Sequence, residues 1–280
     1  MVSHDIQEAS QHQHKKAPPP KPRSDERPCE NVLYARSCDE AVKIYKAYGA
    51  VEISTPATAE FMQFASTLYM KMLSMCPVQE EGNRGELRHC VNAPGNVNDD
   101  AFYNLFSYIM EPGRILYNLL KAVEPTLKLE KLGGDVVLPG APNSDATKWH
   151  RDWELSNLIV AVSVFIHPIT VVDAPLWIAT PDKQVCCVGP PGRLLVRDVA
   201  TWHRGSEHLG DTAGVLPAYR FSSAKARREH KLDPVRTRTQ WNWDPHLREF
   251  VHERDAPSDT ASFRIAIGWA EQDETQQSDG

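Results

Sequence analysis

The chain is 280 residues long with 41% hydrophobic and 24% charged residues, the make-up of a globular protein and not of a fibrous or disordered one. Its 31 Lys and Arg against 37 Asp and Glu leave a net charge of −6, so it lacks the bulk basicity a nucleic-acid binder needs to displace counterions. No run approaches the ~18 consecutive apolar residues of a membrane span, and Met1–Lys16 has no apolar signal core. These features predict a cytoplasmic protein with no nucleic-acid or membrane partner. Six cysteines (Cys29, Cys38, Cys76, Cys90, Cys186, Cys187) show no C-x-x-C spacing, which removes the usual zinc and redox motifs and predicts free thiols.

Residues 1–29 are rich in charge and proline, as in Lys15-Lys16-Ala17-Pro18-Pro19-Pro20-Lys21, and read as a disordered arm. Residues 273–280 read as a disordered tail. Residues 30–272 carry no repeat and no linker-like stretch, which predicts one domain. Its first strand is expected at Gly49–Ile53. Ala57–Cys76 follows as a helix, because Phe61, Phe64, Leu68 and Met72 recur at helical spacing behind a capping Thr55 or Thr58. Ile109–Val123 carries Ile115, Leu116, Leu119 and Leu120 in the same way. Short strands are then expected at Asp135–Leu138, Leu158–Ile166, Pro175–Ile178, Arg193–Val196, Ala218–Phe221 and Ser262–Trp269, each bounded by Gly, Pro, Asp or Asn. Helices first and strands after indicate an α+β, mainly β chain: a barrel or jelly roll buttressed by N-terminal helices.

The chemistry centres on Trp149-His150-Arg151-Asp152-Trp153. His150 and Asp152 are two apart, so an extended backbone projects both side chains from one face. An imidazole beside a carboxylate supplies two ligands of a 2-His-1-carboxylate triad that leaves one face of a ferrous ion open. His203, in Arg197-Asp198-Val199-Ala200-Thr201-Trp202-His203-Arg204-Gly205, follows a predicted strand and turn and is the candidate third ligand. A surface His–Asp pair and a strand-end His bonded to backbone are the plain alternatives. His150-Arg151-Asp152 with Asn157 also fits the protein-kinase catalytic loop H-R-D-x-x-x-x-N. The Gly-rich loop, D-F-G and A-P-E that phosphoryl transfer requires are missing from the sequence, which sets that reading aside.

Taken together and in order, these segments resemble the phytanoyl-CoA dioxygenase family of iron(II)/2-oxoglutarate-dependent oxygenases over roughly residues 40–270. The resemblance rests on Gly49–Ile53, Glu111-Pro112 and Gly134-Asp135, then on the His150/Asp152 segment, Asp173-Ala174-Pro175-Leu176-Trp177 and the His203 segment. It implies a double-stranded β-helix, a cupin-like jelly roll, in a chain that acts alone or as a homodimer or heterodimer. It also implies Fe(II), 2-oxoglutarate and O2 as cofactor and co-substrates. His150, Asp152 and His203 become the iron ligands, and the implied reaction oxidises a C–H bond of a small, apolar, secondary-metabolite-like substrate with release of succinate and CO2.

The chain departs from that pattern in three places. The family's arginine for the far carboxylate of 2-oxoglutarate stands about eleven residues after the distal His, and here that position is Gly214. Arg220 is the nearest downstream guanidinium, and Lys148 or Arg197 is the alternative source of positive charge. The stretch Thr180-Pro181-Asp182-Lys183 replaces the Gly and His of the family's P-G-S-H, and His167 stands where the family often has Asp. His167 and His208 either line the pocket or are ordinary loop residues, and Trp149, Trp153, Trp177 and Trp202 either form an apolar pocket or belong to the core. Gly214 keeps two other readings open: a catalytically degenerate jelly-roll partner subunit, and an iron oxygenase that uses no keto acid.

Overall fold

The computed structural model describes residues 32–76, 87–92, 100–141, 148–153, 158–230, 232, 246–247 and 249–250. The arm expected at 1–29, the strand expected at 262–269 and the tail expected at 273–280 lie outside these residues. Nine strands form two antiparallel sheets among the described residues. The larger runs β1 (Ala50–Ser54), β7 (Arg193–Asp198), β4 (Ile159–Val164), β9 (Gly214–Ser222), β3 (Lys128–Val137), β2 (Arg88–Asn92). The smaller runs β6 (Gln184–Cys187), β5 (Leu176–Ala179), β8 (His203–Arg204). The chain leaves the large sheet after β4, makes β5 and β6 opposite, returns as β7 beside β4, crosses again for β8 and returns as β9 on the other side of β4. This alternation is the jelly-roll winding, and the α+β, mainly β expectation holds.

Strand β4 is buried along its whole length. It is central in its sheet and covered on both faces, which is why its sequence, Ile-Val-Ala-Val-Ser-Val, shows an apolar run instead of alternation. Its outer face meets the helices. Val160, Val162 and Val164 join Tyr219 and Phe221 of β9 against α2 (Ala59–Met75), α3 (Asp100–Ile109) and α4 (Ile115–Val123). Phe106 lies 5.0 Å from the Tyr219 ring and 5.9 Å from that of Phe221. Leu195, Phe165, Ile178, Val185 and Cys187 fill part of the space between the two sheets, and Phe165 and Cys187 also face the cavity of the site.

Three helices were not expected, two before the central strands and one, Ala224–His230, after the last. Helix α1 (Cys38–Tyr48) is capped by Ser37, whose hydroxyl accepts from the Glu40 N–H at 3.3 Å, and ends at Gly49 with φ +72°. Asp100–Ile109 is the second. The expected helix Ile109–Val123 begins only at Ile115, because Pro112 and a left-handed Gly113 (φ +90°) separate it from α3. Helix α2 starts where its cap was expected, with Thr58 accepting from the Phe61 N–H. Strand β9 is longer than the expected Ala218–Phe221 and runs through Pro217. That proline is tolerated because the β4 pairing stops at Ala218, so no partner on that side needs its missing N–H. A closing helix, α5 (Ala224–His230), follows β9 directly.

None of the five described cysteines is in a disulfide. Among the described residues no helix is long and apolar enough to cross a membrane.

Candidate metal centre

His150 and His203 are held together by backbone. Each donates its N–H to the other's carbonyl at 2.9 Å, forming an antiparallel bridge that sets the two imidazoles side by side with centroids 4.4 Å apart. Asp152 is fixed one step on by its N–H to the Val199 carbonyl at 3.0 Å. The turn Asp198–Thr201 that delivers His203 is braced by two bonds to the Gly49 carbonyl, from the Asp198 N–H (2.8 Å) and the Thr201 hydroxyl (2.9 Å). Three residues distant in sequence therefore share one point: one donor atom of each of His150, Asp152 and His203 lies within 4.8 Å of the others.

The hydrogen bonds decide which atoms face that point. Carbonyl oxygens only accept, so Nδ1 of His150 must carry the proton it shares with the Lys148 carbonyl (2.8 Å), and Nδ1 of His203 the one it shares with the Thr201 carbonyl (2.9 Å). Each Nε2 is left as a bare lone pair. Both point at Oδ1 of Asp152, at 3.8 Å from His150 and 3.4 Å from His203. Oδ2 accepts from Arg197 Nη2 at 2.7 Å.

Charge reinforces the arrangement. Burial works to raise the Asp152 carboxyl, but the charge of Arg197 beside it helps hold the group well below the usual carboxylate range. Burial, with Arg197, holds the His203 imidazole below its ordinary range despite the neighbouring Asp152. An anionic oxygen and two imidazole nitrogens thus converge on one another. They repel unless a cation lies between them, and this donor set, two nitrogens and one oxygen, is the one that suits a first-row metal. The residues fit a ferrous ion.

The three donors open onto a cavity between the sheets, whose wall includes Val137, Phe165, Ile169, Val215 and Leu216. Asp173 to Leu176, the stretch singled out in the sequence, forms part of its mouth. Arg88 and Arg197 are the two basic residues among those that line it, alongside Asp135 and Asp173. Neither Arg220 nor the Lys148 side chain belongs to this lining. Arg220 pairs at 2.5 Å with Glu130, which sits in the β-bulge between Leu129 and Lys131. Lys148 contributes the carbonyl that orients His150.

The four tryptophans lie outside the lining as well. Arg204 lies over the rings of Trp149 and Trp177, Arg151 lies over Trp202, and Trp153 meets the His230 ring edge-on. The expected alternatives for His167 and His208 resolve in favour of loop roles. Nε2 of His167 accepts from the Val215 N–H, and the fully buried His208 contacts the carbonyls of Val172 and Thr212. Arg88 is the residue that sequence reasoning passed over. Nothing in Arg88-His89-Cys90-Val91-Asn92 marks a site, and only the pairing of β2 with β3 brings it there.

No protein-family model and no curated protein matches the sequence. Solved structures do. The chain is similar to the non-heme alpha-ketoglutarate-dependent carbocyclase SnoK from nogalamycin biosynthesis, at 13% identity over 71% of this chain and 94% of that one, with a TM-score of 0.50. It is equally similar to the non-heme alpha-ketoglutarate-dependent epimerase SnoN from the same biosynthesis, at 14% identity over 67% and 83%, with a TM-score of 0.50. At such identities the likeness establishes the fold.

Proposed function

We propose that the protein is an iron(II)- and 2-oxoglutarate-dependent oxygenase acting on a small organic substrate. The observation that carries this reading is the convergence of two Nε2 lone pairs and one carboxylate oxygen at the mouth of a jelly-roll cavity, with both imidazole tautomers fixed by backbone carbonyls. Two proteins sharing the fold, SnoK and SnoN, are described as alpha-ketoglutarate-dependent, which favours the keto acid as co-substrate. The apolar part of the wall, Phe165, Ile169, Val215 and Leu216, suits an apolar, secondary-metabolite-like substrate.

His150, Asp152 and His203 would hold the iron, which supplies the activation of O2 and the cleavage of an unactivated C–H bond. In the overall reaction one oxygen atom of O2 enters the product and the other enters succinate, while C1 of the keto acid leaves as CO2. The protein's own residues prepare this. The Lys148 and Thr201 carbonyls hold the two imidazoles in the ligating tautomer, and Arg197 occupies Oδ2 of Asp152 so that Oδ1 alone faces the donors. The walls exclude water and orient the bond to be broken.

The reading is tested with anaerobically purified protein, which should bind one Fe(II) and develop a weak visible charge-transfer band when 2-oxoglutarate is added. Iron uptake with no band for any keto acid would support the second reading, an iron oxygenase that needs none, which Gly214 favours. Failure to take up iron would support the degenerate subunit.

A further inference from the structure

We propose that the outer face behind His150 and His203 is a second binding site, built by Trp149, Arg151, Trp202 and Arg204 to hold a dianionic oxyanion of the phosphate class. It does not depend on the keto-acid reading of the cavity.

The two histidines sit in the same tripeptide, Trp-His-Arg, at 149–151 and at 202–204. The antiparallel bridge sets His150 opposite His203, so Trp149 falls opposite Arg204 and Arg151 opposite Trp202. Neighbours along an extended chain point to opposite faces. Both imidazoles line the cavity, and these four side chains do not. Each opposed pair is in contact: the Arg204 guanidinium lies 5.2 Å from the Trp149 ring centre, and that of Arg151 5.0 Å from the Trp202 ring centre. Two guanidinia therefore occupy one diagonal of a four-residue patch and two indoles the other. Trp177, opposite Arg204 on β5, adds a third ring at 5.3 Å.

The polar side-chain groups of the patch are all donors. Nε of Arg204 and the Nε1 atoms of Trp149 and Trp202 are buried with no hydrogen-bond partner. Trp177 is the satisfied indole, donating to the Ser206 hydroxyl at 3.1 Å. Among the described residues neither the Arg151 nor the Arg204 guanidinium has a hydrogen bond or an ion pair, in a chain with 37 Asp and Glu. A buried donor without an acceptor costs free energy, and two like charges on one diagonal repel. Water can supply acceptors but leaves the charge standing. An oxyanion answers both, because its oxygens only accept and its two charges match the two guanidinia. The rings also prepare the arginines for it. A guanidinium laid over an indole keeps its flat fork, and its edge N–H groups remain available for paired hydrogen bonds. A ligand held here lies outside the cavity, so it is not the group that is oxidised.

Sulfate is the probe, a dianion of phosphate's shape that leaves Fe(II) in solution. Calorimetry on the anaerobic, Fe(II)-loaded full chain, with ionic strength held constant by chloride, should show one sulfate bound per chain and acetate bound more weakly. Arg204→Gln should weaken sulfate binding about tenfold or more in protein that still loads iron. Trp149→Phe keeps a ring and removes a donor, and should weaken it about twofold or more. Should Arg204→Gln fail to fold, Arg151→Gln, at the other end of the diagonal, decides in the same way. Phenyl phosphate separates the sources: tighter binding than sulfate assigns the site to phosphate carried on an organic group, and equal or weaker binding assigns it to a free oxyanion. Acetate bound as tightly as sulfate overturns the dianion assignment. The absence of saturable sulfate binding, or affinity unchanged in both folded arginine variants, overturns the proposal and leaves the iron reading standing.

Discussion

The carboxylate of Asp152 is pulled two ways: Oδ2 accepts from Arg197 Nη2 at 2.7 Å, while Oδ1 faces Nε2 of His203 at 3.4 Å. One oxygen is spent on orientation and the other is free for a metal. Replacing a group that orients a metal ligand commonly costs about 10–100-fold in affinity. Arg197→Met should therefore weaken Fe(II) binding by that order with the triad itself intact. Competition against a coloured chelator measures it, and an unchanged affinity would show that Asp152 needs no second partner.

Removing a donor is a different experiment. Asp152 brings the only negative charge among the three donors, so Asp152→Ala should abolish stoichiometric iron binding and succinate release together. His150→Ala and His203→Ala should do the same, because a ferrous ion held by two side chains exchanges into solvent. Metal analysis after gel filtration provides the check. Full iron retention in any of the three would remove that residue from the ligand set.

The cysteines predict an alkaline limit. Burial first, and the charge of Glu52 second, push the Cys186 thiol up to about 12 from the usual 9.0, and burial pushes Cys187 well up too. In the unfolded chain both lose their protons near the ordinary value. A group whose pKa is raised on folding contributes stability that is complete below the unfolded pKa and lost as pH climbs toward the folded one. The melting temperature should hold steady to about pH 8 and fall above about pH 9. Iodoacetamide at pH 8 should leave both thiols unmodified in the native protein, as peptide mass spectrometry would show. Rapid alkylation of Cys186 under those conditions would contradict the upward push on its thiol.

How much of this was legible beforehand follows the physics of each signal. His150, Asp152 and His203 could be found because two of them share an extended backbone at period two and the third follows a strand and a turn. Helix α2 was legible through its capping threonine and apolar stripe. Helix α1 was missed although Ser37, Glu40 and Gly49 mark its ends, because Ala41 and Tyr45 are its only fully buried positions and leave a thin stripe. Arg88 was illegible for a stronger reason. Its place in the cavity wall depends on which residue it opposes across two strands, and pairing register is set by the whole sheet, not by the five residues of β2. Arg220 was chosen on sequence distance from His203, and its position on β9 instead carries it to Glu130.

The end of helix α1 and the metal centre are coupled through Gly49. Its φ of +72° suits glycine, and a Cβ would stand 2.5 Å from the Thr201 hydroxyl. The same residue's carbonyl braces the turn that delivers His203, and the Thr201 carbonyl orients the His203 ring. Gly49→Ala should thus cost about 1–3 kcal/mol from backbone strain and crowding and weaken metal binding at a distance. Thr201→Ala alone should cost about 0.5–1.5 kcal/mol for the lost hydrogen bond. Because Thr201→Ala also removes the atom that a new Cβ strikes, the double variant should be less destabilised than the two losses added together. Urea denaturation of the four proteins closes this cycle. Simple additivity would mean that strain at Gly49 relaxes locally and never reaches the turn that carries His203.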